Sequence, residues 1–521
     1  MAHFVIVGAG SAGCVLAARL SENPAAEVVL IEAGPPDKAQ AIHVPVAWSQ
    51  LFKSSHDWDY ASEREPALDH RRVYLPRGRM LGGSSSMNAM IYIRGARADY
   101  DGWARDGAAG WAYDDLLPYF RRSESNERGE DQFHGKLGPL AVSDGRSRYS
   151  LMDAFVEAGV EAGHARNPDF NGETQDGVGY YQLTQRDGMR CSAAVAFLHP
   201  ALGRPNLKVV TGALATRILF DGARASGVEI LRHEELQEIR AETEVILCSG
   251  AYNSPQLLML SGIGPAADLR RLMIPVRADL PVGEGLQDHP NVIMSWHSDT
   301  EGLLTAVSPA NAERLEREGR GPLTSNVAEA GGFFRTREGL EGPNIQMHAL
   351  PSNSPTGEEG LARPTTHGVA FGPCLIKPTS RGKLSLRSAD PGSKPRILHN
   401  YYATDEDRLS IIEGVRIALD IAAQPALSAH IKGPNFVPNS PSTADVWDYI
   451  QQYTSTIYHP TSTCAIGPVV DSELKVHGVE GLRVADASIM PSVVRGNTNA
   501  PTIMIGEKAA DLIRAAARAS V

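Results

Sequence analysis

The sequence predicts an α/β protein of two domains, and three observations predict it. Residues 3–34 alternate strand, glycine-rich turn, helix and strand, the pattern of a parallel α/β unit. The stretch from 291 to 402 reads instead as strands broken by Gly, Pro and Ser, which suits a separate α+β domain with an antiparallel or mixed sheet. At 521 residues the chain is too long for one compact core.

The first unit begins with His3-Phe4-Val5-Ile6-Val7, an apolar run that reads as a buried strand. Gly8-Ala9-Gly10-Ser11-Ala12-Gly13 follows, then Cys14 to Leu20 with helical composition, stopped at Ser21-Glu22-Asn23-Pro24. A second run, Val28 to Ile31, ends in Glu32-Ala33-Gly34. Gly8 permits the tight turn, Gly10 lets the backbone approach a diphosphate, and Gly13 lets the helix pack closely on the strand. The diphosphate is expected at the helix start, beside Ser11 and Ala12, where unpaired N–H groups and the dipole favour negative charge. Glu32 can accept from both ribose hydroxyls and would repel a 2′-phosphate, which disfavours NADP. The motif binds a dinucleotide but leaves FAD and NAD open.

The later elements are weaker in pattern. Residues 36–70 are irregular, interrupted by Pro36, Pro45 and Pro66. Helices are predicted over 151–163, 404–422, 443–453 and about 502–517, and a small β-unit over 207–249. His233-Glu234-Glu235-Leu236-Gln237 begins like a zinc-protease helix but has Gln where the second histidine belongs. No metal site, GxSxG elbow or CxxC pair is found.

Composition excludes some partners. Formal net charge is −11 without a Lys/Arg stripe, a poor match to nucleic acid or anionic lipid. Five scattered cysteines argue against a disulfide framework and suit a reducing compartment. No apolar run approaches the ~18 residues of a spanning helix. Because the first strand leaves no room for a leader, the expected location is the cytoplasm.

Three further segments carry a resemblance. One runs Gly78-Arg79-Met80-Leu81-Gly82-Gly83-Ser84, then Met87-Asn88-Ala89-Met90, to Gly95. Another runs Ser249-Gly250-Ala251-Tyr252-Asn253-Ser254-Pro255-Gln256 to Gly264-Pro265. The third pairs His459-Pro460 with Ala485-Asp486-Ala487 and with Gly496-Asn497-Thr498-Asn499-Ala500-Pro501. With the first fingerprint, these resemble the glucose–methanol–choline oxidoreductases from residue 3 to about 516, especially choline dehydrogenase-like and alcohol dehydrogenase members.

The resemblance implies a Rossmann-like FAD-binding domain assembled from 1–150, 191–290 and 456–521, and a substrate-binding domain from 151–190 and 291–455. It places Arg79, Gly82, Gly83, Ser84, Asn88, Ala89 and Met90 along the flavin, and Ala33 and Ala215 toward the adenosine half. Asp486 and Ala487 would meet the diphosphate and ribityl chain. Met87 stands where some members carry the histidine that links flavin covalently, so FAD is expected to be non-covalent. Ser462 stands where glycine is usual and Ile466 where methionine is common, and one glycine is missing after Pro281.

The chemistry implied is alcohol oxidation: His459 takes the hydroxyl proton, Asn497 holds the alkoxide, and hydride goes to flavin N5. Asn499, Pro501 and Thr502 read as a helix start, Asn499 capping, aimed at the flavin's pyrimidine end. Trp58, Glu329 and Tyr458 are candidates for the substrate pocket, while His289 and His477 read as structural or surface residues. Val327 and Ala328 are aliphatic, so part of an aromatic cage for a quaternary ammonium is expected to be absent. An uncharged primary alcohol is therefore preferred to choline. Electrons pass to a quinone or other carrier; the alternatives are an oxidase making H₂O₂ from O₂ and a redox-silent hydroxynitrile lyase. A nicotinamide dehydrogenase explains only the first 34 residues.

Overall fold

A computed structural model describes residues 2–353, 356–357, 360–361 and 365–519. Strands Ala2–Val7, Ala26–Ile31, Leu207–Val210, Glu244–Leu247 and Leu482–Val484 form a five-stranded parallel sheet. Ala2–Val7 lies near its centre, between Ala26–Ile31 and Glu244–Leu247. Phe4 to Val7 are all buried because both faces of the sheet are covered, which is why these strands are apolar without alternation. Helix Ser11–Leu20 packs beside the sheet, and the long C-terminal helix Asn499–Ala519 lies against it. A Cβ on Gly506 would meet the Ala12 carbonyl at 3.0 Å, so the two helices run close.

The β-unit expected over 207–249 divides between two sheets. Its outer strands, Leu207–Val210 and Glu244–Leu247, enter the parallel sheet. The middle three, Leu214–Asp221, Arg224–Arg232 and Glu235–Arg240, form their own antiparallel meander. Short apolar and β-branched runs mark strands in both, and long-range pairing decides which sheet each joins.

A second, eight-stranded sheet contains Gly177–Tyr180, Met294–His297, Ala330–Phe334, Ile345–Leu350, Gly368–Leu375 and Gly433–Phe436. Its pairings are antiparallel. Helices Ser150–Glu161 and Asp405–Ala423 cover one face, where Phe155 meets Phe371 edge-on at 5.0 Å. Strand Ile345–Leu350 shows how the sheet divides its labour. Ile345, Met347 and Ala349 join the main core, while His348 and Leu350, on the opposite face, line a cleft between the two sheets. The helix Thr443–Tyr453 has the bounds read from sequence, and the C-terminal helix begins three residues earlier than expected.

Candidate active site

The cleft has a volume of about 600 Å³, in the range of cofactor and ligand sites. One end is built from the glycine turn. Gly8 has φ +100°, and a Cβ there would lie 2.6 Å from the Cys248 carbonyl. A Cβ on Gly13 would lie 1.9 Å from the Gly8 carbonyl oxygen. Packing therefore demands both glycines. Gly10 differs: a Cβ there would meet only the Cys248 carbonyl, at 3.8 Å, so its missing side chain serves the cleft rather than the protein. Room at the turn, with helix Ser11–Leu20 opening onto it, fits a diphosphate.

Glu32 stands at the end of its strand, where Oε2 accepts from Ala9 N (3.0 Å) and Oε1 from Gly34 N (2.8 Å). Burial pushes its carboxyl up to about 7 against the pull of those amides. Ala33, Arg79 and Ala215 line the same end. Trp58 also lies there, stacked on Tyr60 and over the Arg79 guanidinium. Gly83, with φ +52°, brings the second signature against the first: its Cβ would sit 2.8 Å from Gly10 Cα. Ser84, Asn88, Ala89 and Met90 continue that wall, whereas Gly82 and Pro501 stand behind it.

The C-terminal helix starts at Asn499, with Thr498 before it. The Asn499 side chain does not cap the helix; its Oδ1 accepts from Ser11 Oγ at 2.8 Å. That bond ties the two helix N-termini together, and both open onto the cleft with Ala12 and Thr502. Asp486 accepts from Ser254 Oγ (2.5 Å), Gly250 N (2.9 Å) and Ser488 N (2.8 Å), joining the signature at 250 to the tail beside Ala487.

At the other end, His459 Nε2 and Asn497 Nδ2 face one another at 3.5 Å. His459 N donates to Asp288 Oδ1 (2.7 Å), and its ring Nδ1 lies 3.0 Å from Nδ1 of His289. Burial, with His289, His348 and Arg77 nearby, holds the His459 imidazole well below its ordinary range and therefore neutral. The backbone around it is strained: Met90, Val327, Tyr458 and Ser462 all have φ between 60° and 77°. Ser462 occupies the position where glycine is expected, and φ +73° is the physical reason for glycine there. A neutral imidazole, an amide and a glycine turn with room for a diphosphate thus share one cleft.

Residues 2–291 match a family model for GMC oxidoreductase, and residues 378–506 match a second model of that family. The chain belongs to the GMC oxidoreductases. It is 44% identical to mouse mitochondrial choline dehydrogenase over 98% of this chain and 89% of that one. It is 42% identical to an alcohol dehydrogenase [acceptor] of Pseudomonas putida, covering 98% and 96%. Its structure is similar to that of pyridoxine 4-oxidase from Mesorbium loti, with TM-score 0.89, 32% identity and coverage of 98% and 99%. As a GMC oxidoreductase it is an FAD enzyme acting on CH–OH donors.

One expectation about the pocket of this GMC oxidoreductase is corrected. Glu329 is not on the cleft wall; it is buried away from it, accepting from Ser325 Oγ at 2.6 Å, while its neighbour Ala328 lines the cleft. Both precede the strand Ala330–Phe334, and the Ser325 hydroxyl holds the Glu329 carboxyl away from the cleft. Val327 and Ala328 line the cleft, and the irregular segment before residue 60 adds aromatic side chains beside Tyr458. Trp48 meets Phe52 at 5.4 Å, and Phe52 meets Tyr458 at 5.8 Å, both edge-on. Nothing in the one-dimensional pattern places Trp48 or Phe52 opposite residue 458. Among the described residues no helix is long and apolar enough to cross a membrane, and no metal-binding group of His, Cys, Asp or Glu is present.

Proposed function

We propose that this GMC oxidoreductase takes an uncharged primary alcohol to its aldehyde, with His459 as base, and passes the electrons to a quinone or other carrier. The facing of His459 Nε2 and Asn497 Nδ2 across one cleft with the glycine turn carries the reading. Bound FAD supplies the hydride acceptor. His459 Nε2 accepts the hydroxyl proton, and Asn497 Nδ2 donates to the developing alkoxide. The N-terminus of the C-terminal helix lends its positive end to the cleft wall beside Thr498. In this reading the five-stranded parallel sheet anchors the segments 1–150, 191–290 and 456–521, and the eight-stranded sheet anchors 151–190 and 291–455. Five free, buried cysteines support placing the enzyme in the cytoplasm.

The preference for an uncharged substrate rests on charge. The carboxylates on the cleft wall are Glu32, Asp57 and Asp486. Each is already engaged: Asp57 accepts from Arg77 N, Asp59 N, Lys53 N and the Tyr74 hydroxyl. Half-buried Arg77 acts on His459 as a like charge and would also oppose a quaternary ammonium. Ile293, Val327 and Leu350 add an apolar lining. Choline is the second reading, favoured by the Trp48–Phe52–Tyr458 faces and by the choline dehydrogenase relatives.

Anaerobic bleaching of the flavin band decides between them. 1-Butanol or benzyl alcohol is expected to give kcat/KM at least about tenfold above choline, the factor that ~1.4 kcal/mol of unpaired charge provides. Comparable turnover of choline would reverse the assignment. Under air, dye reduction is expected to exceed peroxide yield; the opposite result would indicate an oxidase.

FAD is expected to be held without a covalent bond. Met87, buried beside Met80 and Leu51, stands on the cleft wall where a linking histidine would be needed, and a thioether does not form that linkage. Acid precipitation should leave a colourless pellet and a yellow supernatant. A yellow pellet would refute this.

A further inference from the structure

A hydrogen-bond chain of fixed direction runs through the site, and it begins at a group that can only accept. The Met347 carbonyl accepts from the Tyr181 hydroxyl at 2.7 Å, which uses the tyrosine's one proton. Toward its other neighbour Tyr181 is therefore an acceptor. That neighbour is Gln346, which must present its amide Nε2, at 3.2 Å. The same Nε2 lies 3.1 Å from Asn497 Oδ1, so the Asn497 amide is turned with its oxygen toward Gln346 and its NH₂ toward His459. His459 Nε2, facing that NH₂ at 3.5 Å, has to be the bare nitrogen of the ring.

The chain continues on the far side. Burial keeps both imidazoles neutral, pushing His289 down to about 4 and His459 well below its ordinary range. A neutral imidazole carries one ring proton. In His459 it resides on Nδ1, which donates across 3.0 Å to Nδ1 of His289. His289 then carries its own proton on Nε2, a buried nitrogen with no hydrogen-bond partner among the described residues. The other charged or titratable neighbours do not bond to the His459 ring. Asp288 accepts from its backbone N–H, while Arg77 and His348 act on it as like charges.

We propose that His289 is a positioning residue which, together with Gln346, fixes the tautomer of His459 and the orientation of the Asn497 amide. The site then offers an incoming group one acceptor and one donor, a pair that an O–H satisfies at both ends. An Asp or Glu in this role would add a buried negative charge; a neutral imidazole accepts the same proton without one. The inference rests on His459 being the base.

The test uses holoenzyme labelled with ¹⁵N-histidine. His459 is expected to show a protonated Nδ1 and a bare Nε2, and His289 the reverse. A protonated Nε2 on His459 would overturn the proposal whatever the activity. His289→Leu is expected to lower kcat on the order of 10²-fold with the flavin spectrum and KM little changed. Wild-type kcat in that variant would also overturn it. His289→Glu restores an acceptor for the Nδ1 proton, and is expected to recover part of kcat and to move the acid limb of kcat/KM to higher pH, because a nearby anion stabilises imidazolium. A purely structural role for His289 predicts neither recovery nor that movement. If His289→Leu does not fold, Gln346→Leu tests the other end. It is expected to lower kcat roughly tenfold, about 1.4 kcal/mol, and unchanged kcat would overturn the proposal. A fully active His459→Ala would sink the base assignment instead, while the nitrogen signals would still report the tautomer.

Discussion

Replacing His459 by alanine is expected to cut kcat by ~10²–10⁴-fold while the purified protein stays yellow. The imidazole is one wall of the cleft and touches Asn497 and His289, so its loss removes the proton acceptor without disturbing the glycine turn at the far end. Stopped-flow reduction of the flavin by a saturating alcohol, without oxygen, measures the loss directly. Near-normal reduction would exclude His459 as base. The wild-type pH profile carries a companion expectation. Burial, His289, His348 and Arg77 all disfavour the protonated ring, so the free enzyme keeps its base form below the ordinary histidine range. The acid limb of kcat/KM is therefore expected below about pH 6.5, the unperturbed value. An acid limb above neutrality would mean that another group governs the proton.

The second large effect is on the fold around the cofactor. Gly13→Val is expected to yield colourless protein, destabilised by about 3 kcal/mol or more. A side chain there meets the Gly8 carbonyl at 1.9 Å, and the Cys248 Cβ stands at 3.3 Å, so helix Ser11–Leu20 has to move off the sheet. That displacement carries the helix N-terminus away from the diphosphate position and disturbs the Ser11–Asn499 bond. The contrast with Gly10 makes the test specific. Gly10→Ala has space in the protein and should fold with near-normal thermal stability, yet it fills cleft volume and should weaken flavin retention. Flavin content per mole of protein and thermal unfolding, read side by side, separate the two. Full flavin content in Gly13→Val would refute the packing argument.

Features set by neighbours in the chain were legible in sequence. The glycine turn, the strand ending in Glu32 and helix Thr443–Tyr453 each declare themselves within a few residues. Ser462 was visible as a departure, but only its φ of +73° shows why glycine is favoured there. Other features misled for physical reasons. Asn499 has the composition of a cap, yet Ser11, far away in sequence, claims its side chain. Glu329 lies in a string that invites a cation-binding role, and its carboxyl is engaged by the Ser325 hydroxyl away from the cleft. His289, read as structural or surface, is fully buried against the ring of His459, a meeting no local pattern gives.

The amino-acid order alone was enough to specify a dinucleotide turn, its acidic strand end and the approximate spans of five helices, because these depend on backbone sterics and short-range periodicity. Tertiary structure decided which wall each side chain faces, how the strands of 207–249 divide between sheets, and what holds the His459 proton. Several of those outcomes depend on contacts far apart in sequence, as in the His289–His459 pair, 170 positions apart. No local pattern encodes such a meeting, since it exists only once two sheets have closed over a common cleft.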